Sequence, residues 1–162
     1  MVKLLTKVNI FSIYPTTDVI FAAPMALQVK TSQLPNSGKG LFTTTAIKKG
    51  AKVIEYKGEI IDWKEYERRV ERDEDGYLFF IDKKTCIDAF NTPEHKARFA
   101  NDAAGLGRVK GLKNNCIYEI EDNRCFIVSK RDINPGEEIF VDYTKEYWDC
   151  IRYNISIGRG KK

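Results

Sequence analysis

Histidine is nearly missing from this chain: His95 is the only one among 162 residues. A Ser/His/Asp triad or a histidine-built metal cluster therefore has no support, and His95 reads as a solvent-facing residue on a short helix. Cysteine is sparse as well, at positions 86, 116, 125 and 150. No two of these form a C-x-x-C or C-x-C pair, so the spacing offers no zinc cluster. No apolar run approaches the roughly 20 residues that a membrane span needs. Residues 1–25 carry apolar side chains, but Lys7, Asn9, Thr16, Thr17 and Asp18 interrupt them, which argues against a cleaved leader. The thiols then read as free and mostly buried in a soluble, reducing, intracellular setting. Charge of one sign is limited too. A net charge of +4 is mildly basic and too small to mark direct nucleic-acid binding. Gly158-Arg159-Gly160-Lys161-Lys162 reads as a mobile basic end that aids solubility.

A hydrophobic fraction of 43% with 12% aromatics is enough for one packed domain. Short alternating segments dominate. Ala26–Thr31, Leu41–Thr44, Val53–Tyr56, Tyr77–Ile81 and Thr85–Ala89 read as strands. Cys116–Ile120 and Arg124–Ser129 read as a hairpin across Glu121-Asp122-Asn123. A final strand follows the turn Pro135-Gly136 and runs from Glu138 to Tyr143, with Ile139, Val141 and Tyr143 on one face. One longer helix starts at Asp62 as cap, with Glu65 placed as in a capping box and Trp63, Tyr66 and Val70 on one face. Its charged run Glu65–Asp75 reads as a solvated face. Thr92-Pro93-Glu94 opens a second, short helix that ends at Asn101. The fold class is thus mostly β with short helices, not the regular strand–helix alternation of a doubly wound sheet. The expected division is an extension at 1–25, a domain at 26–150 and a basic tail at 151–162. Val8, Ile10, Ile13, Val19, Ile20 and Phe21 suggest one or two strands around the turn Pro15–Asp18. That apolar segment has two destinations open to it, its own domain or a second copy of the chain.

Gly38-Lys39-Gly40 supplies bare backbone that can approach a carboxylate or the polar end of a cofactor. It is no dinucleotide fingerprint, because position 43 is threonine and no strand–turn–helix unit surrounds it. Further on lie Glu55-Tyr56-Lys57-Gly58-Glu59, Asp75-Gly76-Tyr77-Leu78-Phe79, Arg98-Phe99-Ala100-Asn101 and Gly136-Glu137-Glu138-Ile139-Phe140-Val141-Asp142-Tyr143. In this order and spacing, over residues 27–148, the motifs resemble those of the SET-domain protein lysine methyltransferases. The resemblance implies a β-clip-like fold of small sheets with a C-terminal pseudoknot. It implies S-adenosylmethionine (SAM) as cofactor, held by Lys39, Gly40 and Leu41 largely through backbone groups. Tyr77 would touch it, Arg98 and Phe99 would shape its pocket, and Asn101 would hydrogen-bond the adenine region. Trp148 would pack against the cofactor or close the lysine channel. Tyr56 and Tyr143 would line that channel, with Tyr143 as the main catalytic tyrosine. Val141 stands where the family usually has Phe or Tyr, which implies room for di- or trimethylation. The partner is a lysine-containing protein or peptide, histone tails and ribosomal proteins included, with no membrane and no metal.

Three departures stand against the pattern. Asp102 replaces the histidine expected after Asn101. That position meets the cofactor mainly through backbone, and its carboxylate has two options: a new hydrogen bond, or repulsion of the cofactor's own carboxylate. The usual Pro-Asn is replaced by Asn114-Asn115, beyond an insertion at Gly105–Lys113 that either serves substrate selection or is a plain exposed loop. The zinc-binding cysteines after the last tyrosine are missing, so Trp148, with Tyr147, must cover the channel. The first two departures motivate an alternative reading, a non-catalytic SET-fold module that binds a protein. Location follows the source: nuclear and on chromatin in a eukaryotic or viral setting, cytoplasmic in a bacterial one.

Overall fold

The computed structural model describes residues 26–158. The expected strands near residues 8–21, the domain label for 1–25 and the final four residues lie outside them. Eight short strands form three antiparallel sheets among the described residues. β1 (Leu27–Thr31) pairs with β2 (Lys39–Thr43). β3 (Lys52–Tyr56), β8 (Arg124–Ser129) and β7 (Cys116–Glu121) form the second sheet in that order. β4 (Glu59–Asp62), β6 (Thr85–Asp88) and β5 (Leu78–Phe80) form the third. β4, which no motif marked as a strand, is mostly exposed and lacks a clear apolar alternation. The β7–β8 hairpin closes over Asp122 and Asn123, at φ 50° and 58°. Two successive left-handed residues suit the right-handed twist of the strands, and Asp and Asn tolerate them best after glycine.

Helix α1 (Trp63–Glu71) begins as the capping pattern predicts: the Glu65 amide donates to the Asp62 side chain at 2.9 Å. Such a cap is worth about 1 kcal/mol. Its faces are otherwise placed. Trp63 is 50% exposed and Val70 39%, whereas Arg69 is the helix's buried residue. Arg69 reaches Asp88 at 2.5 Å and Glu59 at 2.6 Å, so the charged run is not wholly solvated. Trp63, Tyr66 and Phe80 instead form their own aromatic group on the outside of the third sheet.

The second helix is shorter and later than expected: a 3-10 turn at Lys96–Phe99. Thr92 does not cap it, and its buried hydroxyl has no partner among the described residues. His95, half-buried, precedes the turn without capping it by its side chain. At the other end, α2 (Thr144–Ser156) runs through the boundary placed at 150, because Thr144–Ser156 is free of Pro and Gly and keeps helical spacing. Residues 151–156 are therefore helix, not tail.

The segment after Pro135-Gly136 also differs from the expected strand. It is extended, but belongs to no sheet. Glu138 bridges Phe42, Phe140 bridges Asn101 in parallel, and Val141 bridges Cys116 in parallel. Ile139, Phe140 and Val141 are all buried. The expected one-faced alternation is lost because protein covers both sides. The Val141 amide donates to the Asn101 carbonyl, and the Cys116 amide to that of Phe140. Asn115 adds both of its amide groups, donating to the Glu138 carbonyl at 2.7 Å and accepting from the Phe140 amide at 2.9 Å. The segment thus lies between the two ends of the 102–114 loop, the threaded arrangement that the resemblance implies. Its Ile139 and Val141 share one buried core with Leu41 and Ile127.

Candidate active site

The threaded segment delivers Tyr143 to a point where several elements end. Its backbone amide donates to Asp102 at 2.9 Å and its hydroxyl to the Ala100 carbonyl at 2.6 Å. Tyr56, at the end of β3, is 6% exposed and donates its hydroxyl to the Tyr77 carbonyl at 2.9 Å. Burial pushes both phenols well above the usual tyrosine range. They are therefore neutral hydroxyls at physiological pH, with the proton already committed and the oxygen lone pairs left to accept.

Two residues to which the motifs gave no role extend the ring cluster around Tyr56. Tyr118 on β7 packs edge-on to Tyr56 at 6.0 Å and against Phe79 at 4.7 Å, and Phe79 lies 5.9 Å from Tyr56. Burial first, then the neighbouring Tyr143 and Tyr56, raise the Tyr118 phenol well above its ordinary value. The signal available in the sequence was the inward alternation of Cys116 and Tyr118 on the predicted hairpin. Val141 is fully buried, in the core cluster against which Phe79, Tyr118 and Tyr143 pack. On the other side, Trp148 stacks on Tyr143 at 6.0 Å and 15°, and Tyr147 packs edge-on to both rings at 5.0 Å.

The residues expected around a cofactor are also neighbours. The Arg98 guanidinium lies 3.6 Å over the Tyr77 ring and donates to the Ala89 and Phe90 carbonyls at 2.5 and 2.9 Å. The Lys39 ammonium lies 5.8 Å from the Phe99 ring. Asn101 donates its amide to the Lys39 carbonyl at 2.9 Å and to Glu138 at 3.4 Å, and its side-chain carbonyl has no donor among the described residues. Leu41 is fully buried, backbone included, and its carbonyl accepts from the Ile139 amide at 2.7 Å, so the expected backbone contact to a ligand is not exposed here. At Gly40, a Cβ would sit 2.0 Å from a carboxylate oxygen of Glu138. The close approach to a carboxylate expected of this glycine is thus made within the chain. Glu138, buried itself, accepts from the Ser32 hydroxyl and the Gln33 amide, each at 2.7 Å. Nothing in the motif separated Glu138 from Glu137, which is partly exposed and pairs with Arg131.

Asp102 makes new hydrogen bonds, one of its two expected options. Its carboxylate turns into the protein and accepts from four donors, Trp148 and the Tyr143 amide among them. The inserted loop is not plain solvent-facing chain either. A Cβ at Gly105 would fall 2.2 Å from the Trp148 ring, and one at Gly107 2.9 Å from the Pro35 carbonyl. A trough of about 600 Å³ along β4 and α1, lined by Asp62, Lys64, Glu65 and Arg68, holds none of these aromatic residues and is set apart from them.

The SET domain family matches residues 38–144. The chain is 30% identical over 126 residues to histone-lysine N-methyltransferase set-1 of Caenorhabditis elegans, covering 72% of this chain and 50% of that protein. It is 32% identical over 117 residues to histone-lysine N-methyltransferase EZ1 of Zea mays, covering 68% of this chain and 12% of that one. Among solved structures, it is similar to a chain of a humanized mutant of the Chaetomium thermophilum Polycomb Repressive Complex 2 bound to the inhibitor GSK126. There the TM-score is 0.61 and the identity 32%, over 75% of this chain and 15% of that one. The chain spans half the length or less of these relatives.

Proposed function

This chain belongs to the SET-domain family, and we propose that it is a protein lysine N-methyltransferase that uses SAM. The observation that carries this reading is the pair of neutral phenols, Tyr56 buried and Tyr143 half-buried, each already donating to a backbone carbonyl and each packed in a cluster of aromatic rings. A lysine amine must lose its proton to act as a nucleophile, and a free lysine has a pKa of about 10.4. A passage walled by Tyr56, Phe79, Tyr118 and Trp148 disfavours the ammonium and lowers that value. The raised tyrosine pKa values mean that neither phenol is a base; the proton leaves through water. What the phenols supply is lone pairs that accept the amine N–H groups and aim its own lone pair. Alignment of this kind can contribute roughly 7–11 kcal/mol.

The residues fit the cofactor. The Nε of Arg98 is a buried donor with no partner among the described residues, beside Tyr77, and the Asn101 side-chain carbonyl has no donor among them. Backbone of Lys39, Gly40 and Asp102, with Tyr77, Arg98, Phe99, Asn101 and Trp148, would hold it. When bound, SAM supplies a sulfonium-borne methyl group open to in-line attack. Histones are the first substrates to try, since both relatives above carry that substrate in their names. A histone substrate would place the protein on chromatin.

The test incubates the chain with labelled SAM, core histones and a cell lysate, followed by mapping of the modified residue. Label on a lysine ε-nitrogen is the expected result. Calorimetric titration showing no SAM binding, together with no label, would reject the reading in favour of a protein-binding module.

A further inference from the structure

Asp102 is 4% exposed and takes part in no ion pair among the described residues. Its oxygens divide the work evenly. Oδ1 accepts from the Ala104 amide and the Asn114 side chain, both at 2.7 Å. Oδ2 accepts from the Tyr143 amide at 2.9 Å and the Trp148 indole at 2.7 Å. A buried carboxylate is tolerated when donors meet its lone pairs, and such charge-assisted bonds are the strong ones. Asparagine of the same shape cannot replace it. Turned one way, its NH2 faces two donors at Tyr143 and Trp148; turned the other way, it faces the Ala104 N–H. A histidine offers one accepting nitrogen at most.

The partners explain why this matters. α2 buries none of its residues. Its ring contacts with the domain run through Tyr147 and Trp148, and Trp148 is gripped between the Tyr143 ring and the backbone of Gly105. Both of those flanking residues are tied to Asp102: Tyr143 through its amide, and Gly105 through its amide bond to the Asp102 carbonyl at 3.3 Å. We propose that Asp102 is a positioning residue: its one carboxylate fastens Tyr143, the α2 aromatic cover and the inserted loop to one another, so that α2 seals the site only while Asp102 is in place. The catalytic consequence rests on the methyltransferase reading; the latch itself does not.

The experiment uses the full chain with Trp63→Phe, which leaves Trp148 as the sole tryptophan of the two. Into this parent goes Asp102→Asn. The expected results are a red shift of Trp148 emission and tryptic cleavage within α2, at Lys145 or Arg152, about tenfold faster or more. In the same variant, kcat falls on the order of 10–100-fold, the scale of a misplaced catalytic group. KM for SAM rises by less than kcat falls, because Trp148 is one of several groups that would hold the cofactor whereas the larger loss lies in transition-state alignment. Unchanged emission and cleavage, or a raised KM with intact kcat, overturns the proposal. Should Asp102→Asn fail to fold, Trp148→Phe in the unmodified chain removes one donor and keeps the stacked ring. Faster cleavage of α2 is then expected, and unchanged cleavage overturns the latch. A parent that methylates nothing would defeat the functional reading alone, since emission and cleavage still decide the role of Asp102.

Discussion

Tyr143 holds its hydroxyl against the Ala100 carbonyl, so Tyr143→Phe removes an aimed lone pair and little packing. Turnover is expected to fall about tenfold or more while SAM binding by calorimetry changes little, the pattern of a contact made in the transition state. Val141, fully buried below the ring cluster, is smaller than an aromatic residue and carries no hydroxyl to pin a water. With excess SAM, intact-mass measurement should therefore show di- or trimethyl product; monomethyl product alone would refute this. The cysteines divide by burial. Cys150 is exposed and the other three are buried, so one thiol should react quickly with a thiol reagent under native conditions and the rest only on unfolding. Burial pushes Cys86 up to about 11 and Cys116 and Cys125 up to about 12. Raised folded-state values stabilise the fold in full below the unfolded thiol pKa of about 8.5 and lose that contribution as pH rises toward the folded values. The buried tyrosines act in the same direction from about pH 10. Denaturant midpoints measured from pH 7 to 11 should fall on the alkaline side.

At the level of elements, α1 is joined to the third sheet less by apolar contact than by Arg69. This guanidinium ties the helix to Glu59 on β4 and to Asp88, a fully buried carboxylate on β6. Asp88 also accepts the Phe90 amide at 2.7 Å, next to the carbonyl that holds Arg98. Arg69→Met would leave a buried anion without its cation, which costs about 3–5 kcal/mol; urea unfolding should show the loss. The motif could not distinguish Arg69 from its neighbours Arg68 and Arg72, since all three are long, basic and at helical spacing from Glu65, three, four and seven residues on. Only the approach of β6 selects one. The same holds for Trp63 and Val70: the helical period was read correctly, but their face meets a shallow aromatic group and solvent, not the core.

For the whole molecule, the decisive contact is the passage of residues 138–143 between Asn101 and Asn115-Cys116. A chain ending at residue 137 loses Ile139, Phe140 and Val141, all in the core, and should show no cooperative thermal transition by circular dichroism. A chain ending at 143 keeps them and loses only α2, which buries no residue; it should melt cooperatively. Local chemistry was enough to mark the hairpin turn, the Asp62 cap and most strand positions, because each depends on neighbours a few positions away. The ordered motifs also made the family legible. Which side of a segment is covered, however, depends on partners tens of residues distant. Hence the period-two reading of 138–143 failed, α2 was missed, and Tyr118 was overlooked. The carboxylate of Asp102 was legible only as a departure from a pattern. That it accepts four hydrogen bonds, and joins Tyr143 to Trp148, was decided by the tertiary structure, since only the threaded fold brings donors from positions 104, 114, 143 and 148 around one buried anion.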